Sequence, residues 1–345
     1  MKEHYNNLDG LRTISCLCII AMHIKANADY SLHPAFEEII MSWTHFVPLF
    51  LMISGFGMFC GYYEKFRSGS IDLNSFYIKR YQRLLPFFIT LIAIDVLMYR
   101  SLDHIMEGIT EATLVFGLLP NNQLNVIGVS WTLGVIFLFY MLFPFVVYLC
   151  WNKRRAAITF ILSIALSLFC SFYFFTESFV LEGFVPRHNI LYCSPWIFGG
   201  GCIYLNKDIV KGFVMQHRRV WLTGCIGLSV AWYFVPSGNS GADMLRNLIL
   251  FLPWVMYAIS VESKILSNKV TKYLSGISLE LYLAQMVIFR TVEKTRGLYI
   301  FGCGWRSFVI TWIVVLLGLI LFIEGWKRIW SEILMRIFSK IKMEV

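Results

Sequence analysis

The sequence has little charge and lacks the motifs of common soluble enzymes. Asp, Glu, Lys and Arg make up only 15% of its 345 residues, whereas 58% are hydrophobic. With a mean hydropathy of +0.65, the chain has more apolar surface than a soluble protein of this length can bury. It contains no Gly-x-Gly-x-x-Gly run, Walker loop or Gly-x-Ser-x-Gly elbow. The sequence therefore predicts a membrane protein without a dinucleotide site, a phosphate-binding loop or a hydrolase elbow.

Metal-binding and targeting patterns are also missing. The nine cysteines and seven histidines show no metal-ligand spacing and no His-Glu-x-x-His pair. We therefore expect no metal site, and we expect most cysteines to be buried as small apolar residues. The amino-terminal segment is short and polar, and no small-residue cleavage site follows it, which argues against a signal peptide. No internal repeat of the kind found in many transporters is visible.

Ten apolar segments are long enough to predict membrane-spanning helices, since about 20 such residues cross a bilayer core. A shorter apolar piece at 109–119 predicts a re-entrant or interfacial segment. The expected fold class is an all-α membrane protein, with about ten transmembrane helices in one bundle. The predicted spans are 8–28, 40–62, 83–99, 129–150, 156–175, 189–205, 219–235, 244–261, 273–291 and 306–325.

The basic residues are distributed unevenly between the two sides of the predicted membrane. With the amino terminus in the cytoplasm, 21 of the 30 Lys and Arg residues fall in cytoplasmic segments and seven fall outside. The other two, Arg12 and Lys25, lie in or near the first span. Cytoplasmic segments of membrane proteins are enriched in Lys and Arg, so this bias predicts both termini inside. The net charge of +9 follows from this topology and does not imply a nucleic-acid partner.

The first predicted span contains two ionisable residues, Arg12 and His23. Burying such groups in a membrane is costly, so they indicate a functional site. They are eleven residues apart, which places them on one helical face about 16 Å apart along the axis. That face has a cation near one membrane surface and a possible base in the interior. The same face of a purely structural span would be apolar.

A second basic group precedes the third span. Lys79, Arg80 and Arg83 lie within five residues, and Arg80 and Arg83 are an i, i+3 pair on one helical turn. Two guanidinium groups so placed match the geometry of a phosphate. The competing interpretation is that these are ordinary cytoplasmic basic residues whose side chains snorkel to lipid head groups. Together with Arg12, the pair predicts a cytoplasmic ligand rich in phosphate.

The order of several motifs resembles the acyltransferase-3 family of integral-membrane O-acyltransferases, which typically modify surface glycans. The resemblance covers nearly the whole chain, and the ordered combination is more specific than any one piece. The matching pieces are Leu-Asp-Gly-Leu-Arg12 with His23, Phe50-Leu-Met-Ile-Ser-Gly-Phe56, Phe76 to Pro86 with Arg80-x-x-Arg83, Ser130-Trp-Thr-Leu to Pro144, and Ser275 to Leu283.

The resemblance implies an acyl-CoA-dependent enzyme without a permanently bound cofactor. The donor would be acetyl-CoA or another acyl-CoA from the cytoplasm, with its nucleotide phosphates on Arg80 and Arg83. Arg12 would hold a further phosphate or the pantetheine end. His23 would either deprotonate the acceptor hydroxyl or carry the acyl group itself, and these two mechanisms remain open. The acceptor would be a hydroxyl of a cell-surface or lipid-linked saccharide.

Two positions depart from the pattern of the family. A glutamate found in many relatives is replaced by Ile136, and a histidine near the carboxyl end is replaced by Gln285. Neither can therefore act as an ionisable catalytic group, although Gln285 can hydrogen-bond a sugar. Glu280 and Gln285 on the ninth span are candidate acceptor-side residues. Trp131 either shapes the acceptor side or belongs to the interfacial aromatic belt.

We expect one membrane domain over residues 1–345, without an appended extracellular hydrolase domain, in the cytoplasmic membrane. The expected partners are acyl-CoA, a saccharide and membrane lipids. One alternative is a transporter or flippase for an anionic or acylated metabolite, although few intramembrane carboxylates beyond Asp95 and Glu280 are present. Another is an acyltransferase with a cytoplasmic small-molecule acceptor. The acceptor sugar, the hydroxyl position, the acyl chain length and the oligomeric state remain open.

Overall fold

A computed structural model describes residues 5–119, 124 and 126–343, with only the backbone for 333–343. Lys2, counted above among the cytoplasmic charges, lies outside these residues. The described part of the chain is helical and contains no strand. The helices are α1 (Asn6–Ala26), α2 (Pro34–Ser42), α3 (Phe46–Arg67), α4 (Leu73–Tyr99), α5 (Leu102–Ala112), α6 (Trp131–Leu149), α7 (Lys153–Phe169), α8 (Ile190–Leu205), α9 (Lys207–Gln216), α10 (Arg218–Phe234), α11 (Ser240–Ser260), α12 (Lys269–Gly276), α13 (Ser278–Lys294) and α14 (Trp305–Met343).

The ten predicted spans fall on helical segments, although 40–62 and 273–291 are each divided between two helices, and this confirms the all-α prediction for the described residues. Among the residues that the structure describes, six helical segments are long and apolar enough to cross a membrane; α1, α10 and α13 are not among them, and α8 is a shorter apolar helix. Both α10 and α13 have 17 residues, at the lower limit for a span. Ten crossings and cytoplasmic termini therefore stay predictions. The six segments are Pro34–Arg67, Leu73–Tyr99, Trp131–Leu149, Lys153–Phe174, Ser240–Ser260 and Trp305–Glu332.

Helix boundaries differ from the predictions in three places. The third span was expected to begin at residue 83, but α4 begins at Leu73, where Asp72 caps it by accepting from the Ser75 amide at 2.8 Å. Arg80 and Arg83 therefore lie within the helix rather than in the preceding loop. The predicted span 273–291 is broken between α12 and α13. The predicted piece 109–119 begins inside α5, which starts at Leu102.

The contacts divide the chain into two compact units. Unit 1 comprises Met1–Ser15 with His45–Ser275, and unit 2 comprises Cys16–Thr44 with Gly276–Val345. Helix α1 is continuous and contributes its first turns to unit 1 and the rest to unit 2. The expectation of one domain stays a prediction.

Helices α3 and α8 of unit 1 approach so closely that glycine is required on both. A Cβ atom built on Gly55 would lie 2.3 Å from the Ile197 carbonyl oxygen, and one built on Gly200 would lie 2.1 Å from that of Met52. Small residues at such crossings let helix backbones come together. Phe56 and Phe59 are fully buried beside this contact. The Ser-Gly step of the second-span motif is thus a packing feature.

Replacing Gly55 by Ala is expected to destabilise unit 1, because the added methyl group would overlap the Ile197 carbonyl. Overpacking of this kind costs about 1–3 kcal/mol. The matched control is Gly57→Ala on the same helix, where a Cβ meets nothing within 4 Å. Thermal unfolding of the detergent-solubilised variants should give a lower midpoint for Gly55→Ala alone. Equal midpoints for the two variants would contradict this account of the helix contact.

Helix α5 has an apolar face that remains exposed. Leu102, Met106 and Ile109 are each more than half exposed, whereas Glu111 is fully buried. A short helix with an exposed apolar face suits the boundary between lipid head groups and acyl chains. This pattern favours an interfacial over a re-entrant position for the predicted short segment.

In unit 2, α13 runs parallel to the second half of α1. The Cys16 thiol donates to the Ser278 carbonyl at 3.5 Å, and near the other end the Arg290 guanidinium donates to Asn27 Oδ1 at 3.4 Å. Residues 16 and 27 of α1 are therefore level with residues 278 and 290 of α13. This register fixes which side chains of the two helices can meet.

Candidate active site

Arg80 of unit 1 is held in a box of aromatic rings. Its guanidinium carbon lies 4.7 Å from the ring centre of Tyr62, 5.6 Å from Tyr140 and 6.0 Å from Phe76. The guanidinium also donates to the Tyr62 hydroxyl, and its Nη1 lies 3.9 Å from Met58 Sδ. Cation–π contacts of this kind orient a guanidinium without neutralising it. Its buried Nε has no hydrogen-bond partner among the described residues.

Arg12 and Arg83 belong to the same group of charges. The half-buried Arg12 interacts electrostatically with Asp9, Tyr140 and Arg83, and Arg83 is exposed. Tyr140 is thus a neighbour of both Arg12 and Arg80. The structure thus links the three predicted arginines, Arg80 to Arg12 through Tyr140 and Arg83 to Arg12 directly.

The arginine cluster, meaning Arg12, Arg80 and Arg83, is incompletely neutralised. Asp9 attracts Arg12 and is itself held by the Ser275 hydroxyl at 2.7 Å. Arg12 and Arg83 repel each other, and this repulsion would be relieved by an anion that binds both. Sequence reasoning missed Tyr62 and Tyr140 as parts of this site. Tyr140 could have been noticed, because it lies in the segment from Ser130 to Pro144 that matched the family.

His23 of unit 2 lies on the face of α1 that contacts α13. It follows Cys16 by seven residues, which returns a helix to nearly the same face, and the Cys16 thiol contacts the backbone of α13. His23 is half-buried. The Asn27 side chain donates to the His23 carbonyl at 2.9 Å, which closes the end of the helix.

Gln285 is level with His23, because it follows Ser278 by the same seven residues. It is 1% exposed, its Nε2 donates to the Tyr282 carbonyl at 2.8 Å, and its buried Oε1 has no hydrogen-bond partner within the described part of the chain. Leaving a buried amide oxygen unpaired is costly. This oxygen is therefore available to accept a hydrogen bond from a ligand hydroxyl.

Glu280 lies nearer the beginning of α13. Its carboxylate interacts electrostatically with Cys16, and one buried oxygen, Oε2, has no hydrogen-bond partner in the described residues. Glu280 and Gln285 are separated by five residues, so they do not share one narrow face of the helix.

Trp131, at the first residue of α6, belongs to a polar stack rather than to a lipid-facing belt. Its ring is parallel to that of His188, with the ring centres 4.5 Å apart, and the Arg187 guanidinium carbon lies 5.9 Å from its centre. Burial and the adjacent Arg187 lower the pKa of His188 to about 3, so its ring is neutral at physiological pH. The acceptor-side role of Trp131 stays a prediction.

A buried carboxyl group, missed by sequence reasoning, lies beside the start of α6. Glu111 accepts from the Ser130 hydroxyl at 2.9 Å and from the Ile127 amide at 3.2 Å. Burial raises its pKa to about 8. The side chain is therefore mostly protonated at neutral pH and links α5 to the first turn of α6.

Ionisation of Glu111 is expected to make stability depend on pH. Because its pKa is higher in the folded chain than in the unfolded one, stability should fall as pH rises from about 4.5 to about 8. The loss is on the order of 5 kcal/mol at the upper end. Glu111→Gln should flatten thermal stability across this range, whereas Asp103→Asn, an exposed change on the same helix, should not. An unchanged pH profile in Glu111→Gln would contradict the assignment.

The described residues include no group of three or more His, Cys, Asp or Glu side chains that could hold a metal ion. The arginine cluster of unit 1 carries positive charge that could bind an anion, and the α1–α13 pair of unit 2 has buried polar groups.

Comparison with known families agrees with the motif order. The acyltransferase-3 family model, described as an acyltransferase domain, matches residues 5–323. The chain therefore belongs to the acyltransferase-3 family and is an enzyme that transfers acyl groups. With its apolar helices, it is a multi-pass membrane protein. No match was found among curated proteins or among solved structures.

Proposed function

We propose that this membrane acyltransferase moves an acyl group, in the simplest case acetyl, from cytoplasmic acyl-CoA to a saccharide hydroxyl. The observation that supports the donor is the proximity of the three arginines: Arg12 and Arg80 are both neighbours of Tyr140, and Arg83 is a neighbour of Arg12. The phosphates of coenzyme A are polyanionic, and guanidinium groups bind phosphate oxygens through paired hydrogen bonds. The aromatic box keeps Arg80 oriented before the donor arrives, which lowers the ordering cost of binding.

His23 is proposed as the group that handles the transferred proton. Its neutral imidazole takes the proton of the acceptor hydroxyl, and the oxygen attacks the thioester carbonyl. The carbon–sulfur bond then breaks, and the imidazolium returns the proton to the departing thiolate. In the alternative route, His23 attacks first, and the acyl-imidazole is then consumed by the hydroxyl. Both routes yield one ester and one free coenzyme A thiol.

The acceptor is proposed to be a cell-surface or lipid-linked saccharide. In unit 2, the unpaired oxygens of Gln285 and Glu280 offer acceptors for sugar hydroxyls. In unit 1, Trp131 offers an aromatic ring in a polar setting. The proposed location is the cytoplasmic membrane, with the donor on the cytoplasmic side.

The test is binding and turnover of radiolabelled acetyl-CoA by the purified, detergent-solubilised protein with saccharide acceptors. Saturable binding with release of coenzyme A and labelling of the saccharide would support the proposal. Folded protein that neither binds nor consumes the thioester would overturn it and favour the transporter alternative. Labelling of a cytoplasmic small molecule but of no saccharide would support the proposed donor and contradict the proposed acceptor.

A further inference from the structure

A polar cavity opens at the first turn of α1 in unit 1. Its volume is about 630 Å³, within the range of small-molecule sites. None of the residues that line it has a role in the chemistry proposed above. They come from residues 5–7, Lys211 of α9, the end of α11 with the segment that follows it (258–264), and Ser267.

The walls of this cavity are held in place by contacts within the chain. The buried Asn7 side chain donates to the Val261 carbonyl and accepts from the Ser263 amide at 3.2 Å. The Lys211 ammonium lies 4.8 Å from the ring centre of Tyr5. The shape of the cavity therefore does not depend on a bound ligand.

The chemistry of the lining suits a phosphate. Lys211 and Lys264 supply two ammonium groups, and Ser263 and Ser267 supply hydroxyls. All of these donate hydrogen bonds to phosphate oxygens. Glu262 is the acidic residue among the described residues of the lining, against the two lysines, so positive charge is in excess there.

The cavity lies close to the arginine cluster in the same unit. Tyr5 precedes Arg12 by seven residues, which is about 10 Å along a helix. The Tyr5 ring also meets Phe56 of α3 edge-on, with the ring centres 5.0 Å apart, and α3 is the helix that supplies Tyr62 to the Arg80 box. Two cationic sites thus follow one another along the first turns of α1.

We propose that this cavity binds the ribose 3′-phosphate of the acyl-CoA donor, while the arginine cluster binds its diphosphate. The inference rests on the donor named under the proposed function. Coenzyme A has these two phosphate groups on opposite sides of one ribose, and its pantetheine arm leaves from the diphosphate. Along α1 the cavity comes first and the arginine cluster second, which matches the order of the 3′-phosphate and the diphosphate in coenzyme A. The pantetheine arm would then continue from the arginine cluster.

Dephospho-coenzyme A, which lacks only the 3′-phosphate, tests this assignment. Binding of coenzyme A and of dephospho-coenzyme A is measured by calorimetry on the full chain in detergent. Wild type should bind coenzyme A at least tenfold more tightly, because charge-assisted contacts to the 3′-phosphate are lost with the shorter ligand. The double variant Lys211→Gln/Lys264→Gln should lose this difference and bind dephospho-coenzyme A as wild type does.

The matched control is Lys269→Gln/Lys272→Gln, which removes the same charge from exposed positions of α12 outside the lining. It should keep the wild-type preference for coenzyme A. The assignment is overturned if the cavity variant keeps that preference or binds both ligands more weakly by the same factor. It is also overturned if the control variant loses the preference. In each of these cases the proposed donor stands. Folded wild type that binds neither nucleotide would instead overturn the proposed donor and this assignment with it.

Discussion

Replacing His23 by Ala is expected to abolish acyl transfer while leaving the helices folded. The imidazole is half-buried on the α13-facing side of α1, level with the unpaired oxygen of Gln285. Its removal deletes the group that takes the proton from the acceptor, which in enzymes contributes about 10²–10⁴-fold in rate. The measurement is transfer of label from acetyl-CoA to a saccharide at saturating donor. The binding affinity for the donor should change little, since the residues proposed to bind its phosphates lie in unit 1.

His33→Ala is the matched control, because His33 is an exposed histidine before α2. It should retain wild-type turnover. Wild-type activity in folded His23→Ala protein would refute the catalytic assignment.

The same variant separates the two chemical routes when donor is mixed with enzyme in the absence of acceptor. Labelled protein that forms in wild type and is missing in His23→Ala would support the acyl-histidine route.

Loss of the arginine cluster is expected to weaken binding of the donor rather than to slow the chemical step. Arg83→Ala removes an exposed cation that interacts with Arg12 and should raise KM for acyl-CoA about tenfold, with kcat nearly unchanged. Arg80→Lys keeps the charge but loses the planar fork that Tyr62 and Tyr140 orient. The two changes together should raise the donor Kd by about 100-fold.

Lys79→Ala provides the control for general surface charge. Lys79 is exposed, lies next to Arg80 on α4, and carries the same charge as the neighbouring arginines. If the arginines only attract lipid head groups, Lys79→Ala and Arg83→Ala should have equal effects on donor affinity. If they bind the donor directly, Lys79→Ala should leave donor affinity within about twofold of wild type.

The long helices could be predicted from the sequence because their signal is local. A run of about 20 apolar residues excludes most alternatives by itself, and all ten predicted segments coincide with helices. The short helix α9 and the first half of α12 lie in stretches outside the predicted spans. Their hydrophobic patterns are short and mixed with charge, so packing rather than local sequence determines them. The early start of α4 was missed for a related reason, since its first turns are polar.

The sequence by itself determined that Arg12 and His23 share one helix, that Arg80 and Arg83 share one turn, and that the chain follows the motif order of its family. Each of these depends on spacing along the chain, which the regular geometry of a helix converts into position. The tertiary structure decided the rest. It surrounded Arg80 with the rings of Tyr62, Phe76 and Tyr140, buried Glu111 beside Ser130, and placed Gln285 level with His23. Apart from Phe76, which lies one turn before Arg80 on α4, these contacts join residues 18 to 263 positions apart or depend on the register of two helices, and no local pattern in a single sequence encodes such pairings.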